Sequence, residues 1–455
     1  MKQLRLFLLL AAGLFLASCS EPQPDEFPNP DPPPTVGRHT VPIDQALGEL
    51  DDLLGVIDGQ GTRAGGVRSV AQVQTLHAQA LPLTRSAGEP GEQPENLLYV
   101  VNFEDDAGYA VLGADDRLPA VLAVTDEGSL TTEELVRAAN GQTTPEEFTF
   151  PNEMLMNYVS GIGGIGGGGI GGGGIGGGGI PTGPFTDFDT QLGNPPAGFE
   201  GYEWSDWKNL EYVAPMVTTR WHQEDPFNRH CPVIGGETCV AGCAAIAMAQ
   251  IVASNHLHHN VSPGRIGNIS LNWTLIRQGI IDPDLLNRNS SIANQVALLV
   301  AALGLKLGMN YGVTQSGASI DDAEYCFKYI GYKGVNNHTF RPSYVRTMLW
   351  ERQRPTYVRA VNAQKEGHAW VADGWLYRRR DQYAVIFGKR SDYSVSNQTQ
   401  TLMHCNFGWG GRCDGFYHIG LFNTNEQAVI PDIDYTPVDD DYNGGKRMIT
   451  YTEMY

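Results

Sequence analysis

Apolar and polar positions alternate with two different periods in the first third of this chain. Between residues 41 and 58, "VPIDQALGELDDLLGVID", apolar side chains recur every three or four positions, which is the spacing of one helix face. Residues 96–128 instead have short β-branched runs separated by the turn sequences "EDDAG" and "GADD", which predict a β-meander. The segment "TTEELVRAANGQ" predicts a short helix with Thr131 or Thr132 as its N-cap. Residues 38–160 are therefore expected to form a small α+β domain.

The pattern in residues 185–455 changes from helix to strand. Helical periodicity occurs near residues 242–254 and 291–304. From about residue 355 the chain has runs typical of strands, namely "TYVRAVN", "HAWVADGWLY", "QYAVIFG", "TLMHCNFGW" and "GFYHIGLF". Helices first and strands afterwards predict the α+β class.

Residues 161–184 separate these two regions and consist mostly of glycine, as in "GIGGGGIGGGG". Ordering so many glycines costs more entropy than the few isoleucine side chains can return. The segment is therefore expected to be a flexible linker. A glycine-rich packed structure is the alternative.

The charge of the chain is acidic and unevenly distributed. The 455 residues carry a formal net charge of −20, which argues against a nucleic-acid partner. Residues 20–160 contain 24 acidic and 6 basic side chains, whereas residues 161–455 contain 27 and 23. This difference favours two separate units.

The first twenty residues, "MKQLRLFLLLAAGLFLASCS", have two basic residues and then an apolar run too short to span a membrane comfortably. The run ends in "LASC", which resembles the bacterial lipobox and implies a signal peptide at residues 1–18 with lipid on Cys19. The alternative is a plain signal peptide in which Cys19 has no role. The Pro-rich residues 19–37 are expected to form an acidic tether. The mature protein is then expected to be exported and lipid-anchored to the membrane or cell surface.

The stretch "GETCVAGCAAIAMAQIV" contains two cysteines before an alanine-rich run that predicts a helix, with Gln250 on its apolar face. Cys243 falls at the expected helix N-terminus, behind Gly242, whereas Cys239 lies in the preceding loop. A helix N-terminus stabilises a thiolate, can lower the pKa of a cysteine, and can hold an oxyanion with its unpaired amides. Cys243 is therefore the better candidate for a nucleophile, with Cys239 as a packing or disulfide residue.

A thiolate nucleophile needs a base, and His368 is the candidate. His368 begins the apolar strand of "EGHAWVADGW", so its side chain can reach from the sheet rim into a cleft. Asn406, in "HCNFGWGGRCDGF", can orient an imidazole, and Trp409 can shield that hydrogen bond from water. The alternatives are a structural histidine and a glycine turn with a packed tryptophan. The histidines of "NHLHHN" are expected past the helix end as a solvated cluster, with metal binding as the alternative.

In this order, "GCAAIAMAQI", "GHAWVADG" and "NFGWGG" followed by "DGF" resemble streptopain and its relatives, secreted cysteine peptidases of the papain clan. The segment "WHQEDPFN" is similar to the glutamine segment of that family, and the β-meander resembles its inhibitory propeptide. The resemblance implies a papain-like catalytic domain over residues 185–455 and an inhibitory propeptide over residues 38–160. Phe407 departs from the family, which commonly has tryptophan after the asparagine.

Carried onto this chain, the resemblance implies that Cys243 is the nucleophile and that His368 is the general base and acid. Asn406 would orient His368, and Trp409 would shield the pair. Gln223 would donate to the oxyanion together with the Cys243 amide. The implied substrates are proteins or peptides, the propeptide is an intramolecular inhibitor, and no metal or cofactor is required.

The other cysteines have more than one interpretation. Cys405 and Cys413 straddle the glycine turn, and Cys231 and Cys239 flank "PVIGGET". Either pair suits a local disulfide in an exported protein. A zinc site built from all four is disfavoured, because their spacing lacks paired C-x₂-C knuckles.

Two classes of function follow. The first is a cysteine endopeptidase made as a zymogen. The second is a catalytically inactive surface lipoprotein that uses the peptidase fold for protein binding. The presence of Cys243, His368, Asn406 and Gln223 together favours the enzyme, because a binding protein would tolerate the loss of any of them.

Overall fold

The secondary structure of this chain falls into two modules. A computed structural model describes residues 39–60, 68–81, 95–142, 149–163, 198–361, 367–422 and 445–454. We call the described residues between 39 and 163 the N-terminal module and those between 198 and 454 the C-terminal module. The predicted signal peptide, Cys19, the tether and the linker beyond residue 163 lie outside the described residues.

The predicted helices at residues 41–58, near 242–254 and near 291–304 are confirmed by α1, α4 and α7. Within the described ranges the helices are α1 (Ile43–Ile57), α2 (Thr132–Ala139), α3 (Thr149–Gly163), α4 (Cys243–His259), α5 (Trp273–Ile281), α6 (Leu285–Arg288), α7 (Ser290–Lys306), α8 (Ile320–Tyr329) and α9 (Pro342–Arg346). A π-helical turn at Thr347–Glu351 extends α9. None of these described helices combines the length and the apolar character needed to cross a membrane.

The strands include four in the N-terminal module and the remainder in the C-terminal module. In chain order they are β1 (Val70–His77), β2 (Asn96–Phe103), β3 (Tyr109–Gly113), β4 (Val121–Thr125), β5 (Phe199–Trp204), β6 (Lys208–Val213), β7 (Val233–Ile234), β8 (Glu237–Thr238), β9 (Arg265–Ile266), β10 (Ile269–Ser270), β11 (Tyr332–Lys333), β12 (Asn336–Thr339), β13 (Thr356–Val361), β14 (Gly367–Ile386), β15 (Lys389–Arg390), β16 (Ser396–Asn406), β17 (Gly415–His418), β18 (Arg447–Thr450) and β19 (Glu453–Met454).

The β-meander predicted in the N-terminal module is confirmed. β2 pairs with β3 and β3 pairs with β4, all antiparallel, and β1 pairs with the other edge of β2. The predicted cap of α2 is Thr131, whose side chain accepts from the Glu134 amide while the Glu134 carboxylate accepts from the Thr131 amide. α3 continues to Gly163, so the first three residues of the predicted linker are helical.

Helix α4 is the centre of the C-terminal module. Every residue from Ala244 to His256 is buried, as expected of a helix whose small apolar side chains surround it on all sides. α4 packs against α7 and α5 on one side and against β13 and β14 on the other. The predicted α+β class is confirmed, with a helical part and an antiparallel β part that meet at α4.

The predicted strands "HAWVADGWLY" and "QYAVIFG" are one continuous strand, β14, of 20 residues. The sequence prediction of a break between them was wrong. The intervening polar residues are held in the sheet by pairing with β16 and β6, and the Arg378 guanidinium donates to the Gln400 side chain at 2.6 Å. Pairing with these strands satisfies the backbone groups of residues that would otherwise favour a turn.

The two modules share one sheet. Thirteen of the described strands form it, in the order β1-β2-β3-β4-β17-β16-β14-β13-β18-β12, with β5, β6 and β15 pairing to β14. The seam is the antiparallel pair β4 and β17, where Val124 lies opposite Phe416 and Thr125 opposite Gly415. A Cβ at position 415 would lie 2.4 Å from the Val124 carbonyl oxygen, so only glycine permits this approach. The described residues from His39 onward accordingly form one compact unit.

Charged contacts add to the seam at the acidic helix α1. The Glu49 carboxylate pairs with the Arg380 guanidinium and accepts from the Trp207 indole nitrogen at 2.8 Å. The Arg380 guanidinium also lies over the Trp207 ring, 4.6 Å from its centroid. An acidic side chain of the N-terminal module therefore contacts a cationic side chain of β14 and an aromatic side chain of the loop before β6.

A buried histidine joins the modules through two carboxylates. His404 of β16 is fully buried, with Nδ1 2.7 Å from Asp373 Oδ1 and Nε2 3.2 Å from Asp126 Oδ2. Burial alone would lower the pKa of His404, but the two carboxylates outweigh it and raise this pKa to about 10. Since Asp126 follows β4, a charged imidazole binds the N-terminal module to the C-terminal module.

Replacement of Asp126 by asparagine removes one carboxylate of this cluster without changing its shape. The pKa of His404 is higher in the fold than its ordinary 6.5, so its protonation stabilises the fold fully below pH 6.5 and that contribution is lost toward pH 10. In full-length protein carrying Cys243→Ala, Asp126→Asn should lower the free energy of unfolding by roughly 1–3 kcal/mol near pH 6. This difference, measured by urea denaturation, should shrink toward pH 10.

The matched control is Asp116→Asn. Asp116 forms a similar contact with His39 at 2.7 Å, but both side chains are partly exposed. Its loss should change the free energy of unfolding by less than about 1 kcal/mol. An equal loss from both variants, or a difference that does not depend on pH, would contradict the role given to His404.

Candidate active site

Cys243 is the first residue of α4, as the sequence predicted. Its N-cap, Gly242, has a φ of 87°, a conformation that side chains other than glycine rarely adopt. A Cβ at position 242 would also lie 2.9 Å from the Met309 side chain. Gly242 thus lets the chain enter α4 with Cys243 at the positive end of the helix dipole.

The pKa of the Cys243 thiol is raised from its ordinary value, because burial disfavours the thiolate. The backbone amide of Ala369, the positive charge of Arg359 and the amides of Ala244 and Cys243 oppose this rise. The helix N-terminus therefore acts in the expected direction, toward a lower pKa, but it does not set the net shift. The stabilising groups are in place, but desolvation outweighs them.

His368 is the second residue of β14 and is buried. Its Nε2 lies 3.0 Å from the Phe407 carbonyl oxygen, which accepts, and this contact assigns the proton to Nε2. Burial lowers the pKa of His368 to about 4, although the Phe407 carbonyl opposes the change. His368 is therefore neutral at physiological pH in this structure.

Aromatic rings surround His368. The Trp409 ring stacks on it with centroids 4.4 Å apart and an interplanar angle of 27°. Phe150 of α3 approaches from the N-terminal module, with its centroid 5.8 Å from His368 and 5.3 Å from Trp370. Phe407, at the position where the family commonly has tryptophan, lies 6.1 Å away. The N-terminal module thus contributes to the burial that keeps His368 neutral.

Asn406 does not orient His368 in this structure. Its Oδ1 accepts from Gln250 Nε2 at 2.8 Å and from the Gly408 amide at 3.1 Å, and its Nδ2 donates to the Thr219 carbonyl at 2.9 Å. Because these partners occupy the Asn406 side chain, the adjacent Phe407 carbonyl takes the hydrogen bond of His368. Asn406 instead fixes the backbone from which that carbonyl projects.

Gln250 was not recognised as a site residue from the sequence, where it was assigned to the apolar face of the helix. It lies two turns after Cys243 on α4 and is fully buried. Its Oε1 accepts from Thr219 Oγ1 at 2.9 Å, while its Nε2 donates to Asn406. The sequence contains one indication of this role, which is a single glutamine within a run of small apolar residues. A glutamine buried with such residues must form hydrogen bonds to other polar groups.

One cleft brings Cys243, His368 and Gln223 together. Its volume is ≈ 610 Å³, and its lining includes these three residues, Arg359 of β13 and the small polar residues around Ser316. The Gln223 carbonyl accepts from the Ala241 amide at 2.8 Å, which holds the glutamine segment beside the turn that leads into Cys243. The cleft therefore places a thiol, an imidazole and a carboxamide around a space that admits a peptide.

The other described cysteines and the "NHLHHN" histidines do not line this cleft. The described cysteines are free thiols, so the local disulfides considered for Cys231 with Cys239 and Cys405 with Cys413 are not formed in this structure. The "NHLHHN" histidines lie in the last turn of α4, not past its end as predicted, and His256 is buried against Trp273. Within the described ranges no group of three or more His, Cys, Asp or Glu side chains could hold a metal ion.

The cysteine at the start of a buried helix, the histidine at the start of a facing strand and the glutamine beside them can together perform nucleophilic attack on a carbonyl carbon. Residues 221–417 match the model of the Peptidase C10 family. Streptopain of Streptococcus pyogenes is 24% identical over 243 residues, which are 45% of this chain and 54% of streptopain. Over this region the chain is similar to streptopain, and it spans about half the length of the curated relatives that it matches.

Two solved structures of interpain A from Prevotella intermedia also match. A prointerpain A fragment is 19% identical, and the match covers 83% of this chain and 98% of that chain with a TM-score of 0.46. Active wild-type interpain A cysteine protease is 21% identical, and the match covers 53% and 95% with a TM-score of 0.37.

Gln250→Leu should destabilise the C-terminal module, because it leaves the Asn406 amide and Thr219 without their buried partner. The free energy of unfolding should fall by roughly 1–3 kcal/mol, as expected for unsatisfied buried polar groups. The same substitution at Gln278, which is exposed on α5, should change it by less than about 0.5 kcal/mol. Urea denaturation of both variants checks this, and equal effects would refute the role of Gln250.

Proposed function

We propose that this chain is a cysteine endopeptidase made as a latent precursor. The single observation that supports the reaction most strongly is that Cys243 and His368 line one cleft from opposite parts of the fold. Gln223 lines the same cleft, and residues 221–417 match the model of the Peptidase C10 family. The substrates are proteins or peptides, and every group that the reaction requires belongs to the protein.

In the proposed reaction His368 removes the proton of the Cys243 thiol, and the thiolate attacks the carbonyl carbon of the scissile peptide bond. The oxyanion that forms accepts from the Gln223 carboxamide and from the Cys243 amide. The imidazolium then gives its proton to the leaving amine, and the C–N bond breaks to leave a thioester on Cys243. A water molecule, deprotonated by His368, hydrolyses that thioester and restores the thiol.

The N-terminal module acts as the inhibitor in this proposal. Three observations support it: β4 continues the sheet through β17, Asp126 pairs with His404, and Phe150 packs against His368. Burial raises the pKa of Cys243 and lowers that of His368, so the thiol and imidazole are both neutral. A neutral pair is a weak nucleophile, and hydration of His368 after removal of Phe150 favours the thiolate–imidazolium pair.

Removal of the N-terminal module requires a cut between the modules. The Gly/Ile segment at residues 161–184 is the proposed place, since segments rich in small residues are preferred sites of proteolytic cleavage. Export and a lipid anchor on Cys19 remain proposals that rest on the lipobox-like "LASC". The activation scheme is contradicted if mass spectrometry finds the N-terminal module still covalently attached when activity emerges.

Cys243→Ala should abolish casein hydrolysis, with a loss of at least about a thousandfold in rate, because no other group can form the acyl-enzyme. The variant should also accumulate as unprocessed precursor. Gel electrophoresis and a fluorescent casein assay measure the two effects. Cys239→Ala is the matched control, since Cys239 is fully buried and does not line the cleft. Proteolysis that persists in Cys243→Ala would show that the nucleophile, or the class of function, is wrong.

Phe150→Ala tests the inhibitory contact. In full-length protein carrying Cys243→Ala, which cannot process itself, the pKa of His368 should rise from about 4 toward its ordinary value as water reaches the ring. Histidine titration by NMR measures this, with His368→Gln used to assign the resonance.

Tyr158→Ala on the same helix is the control for Phe150→Ala. Tyr158 packs against His418, with ring centroids 6.0 Å apart, and burial also lowers the pKa of His418 to about 4. Tyr158→Ala should therefore move the titration of His418 and leave that of His368 unchanged. An unchanged His368 titration in Phe150→Ala would contradict the proposed role of Phe150.

A further inference from the structure

The cleft contains a positively charged side chain, Arg359, that takes no part in the proposed proton transfers. Arg359 lines it together with Cys243 and His368. In the β13–β14 register Arg359 lies opposite Ala369, the residue that follows His368. Its charge also acts on the Cys243 thiol. Arg359 is therefore close to the reacting groups and on the wall that a bound peptide would follow.

Gly367 provides room for this guanidinium. A Cβ at position 367 would lie 2.6 Å from Arg359 Nη2. Gly367 does not have a positive φ, so its backbone conformation does not require glycine. Glycine is needed at position 367, immediately before His368, because it leaves space. The end of the Arg359 side chain occupies that space.

Arg359 has no anionic partner among the described residues. The neighbouring Arg447, which lies opposite it on β18, donates from Nε to Asn337 Oδ1 at 2.9 Å. The other charged residue that lines the cleft, Asp322, accepts from the Ser319 amide and hydroxyl at 3.2 and 2.6 Å and caps α8. A half-buried guanidinium in a binding cleft, with no carboxylate of the described protein beside it, is available to a ligand.

We infer that Arg359 determines specificity by binding the carboxylate of an aspartate or glutamate side chain in the peptide substrate, close to the scissile bond. This inference rests on the proposed function and adds the class of side chain that the cleft selects. The planar guanidinium can donate two parallel hydrogen bonds to a carboxylate. The remaining lining is made mainly of small polar residues, so this ion pair is the strongest single contact available to a substrate side chain.

Arg359 also stabilises the thiolate of Cys243, and the experiment must separate the two effects. The influence on the thiolate is the same for every substrate. It therefore cancels in the ratio of kcat/KM between two peptides that differ only in glutamate or glutamine at one position. That ratio reports the contact with the substrate carboxylate.

The test uses the mature wild-type enzyme and fluorogenic peptides with glutamate or glutamine at each position within three residues of the cut. At one position the kcat/KM ratio of glutamate to glutamine should be at least about tenfold, the size expected of a charge-assisted hydrogen bond. Arg359→Gln should reduce this ratio to about one, and Arg359→Glu should make lysine the preferred side chain there. Arg447→Gln is the matched control and should keep the wild-type ratio.

The outcomes separate this inference from the proposed function. Cleavage by the wild-type enzyme without an acidic preference at any position, or a preference that survives Arg359→Gln, overturns the inference and leaves the peptidase intact. If the wild-type enzyme cleaves no peptide, the proposed reaction fails. Binding of the same peptides to full-length Cys243→Ala protein, in which the cleft is lined by residues of the C-terminal module alone, then decides the inference when it is followed by fluorescence anisotropy. A glutamate preference lost in Arg359→Gln supports it, and equal binding of both peptides overturns it.

Discussion

The hydrogen bond between Gln250 and Asn406 is the contact on which the geometry of the cleft depends. It joins helix α4 to the end of β16. Helix α4 begins with Cys243, and Phe407, the residue after β16, has the carbonyl oxygen that accepts from His368. Both side chains are buried, so neither amide can exchange its partner for water at low cost. Thr219 closes the network from the segment before Gln223. One polar cluster therefore fixes the three chain segments that carry the candidate catalytic residues.

Other interactions hold the N-terminal module against the C-terminal module. Main-chain pairing between β4 and β17 continues the sheet, while apolar residues of both modules pack in common clusters. The charged contacts of Asp126 and Glu49 select this docking arrangement more than they add affinity, because desolvation offsets much of the gain from buried pairs. Burial also makes the imidazole neutral, and Phe150 of the N-terminal module contributes to that burial, so docking and the proposed latency are linked at His368.

Much of the fold could be predicted from the sequence because its helices and strands have strong local signals. The periodicity of α1, the capping residues of α2 and the alanine-rich run of α4 each matched the structure. The continuous β14 could not be predicted, because its charged middle is stabilised by neighbouring strands that are distant in the sequence. For the same reason Gln250 was taken for an apolar-face residue, although its partners are at positions 219 and 406.

The sequence by itself determined that Cys243 starts a helix behind a glycine, that His368 starts a strand and that the chain resembles one peptidase family. These properties follow from local conformational preferences and from motif order. Only the tertiary structure decided which groups meet: that Phe407, not Asn406, binds His368, that Phe150 covers it, and that Arg359 enters the cleft. Ionisation was decided there too, since the pKa of a cysteine or histidine depends on burial and on charges that distant parts of the chain contribute.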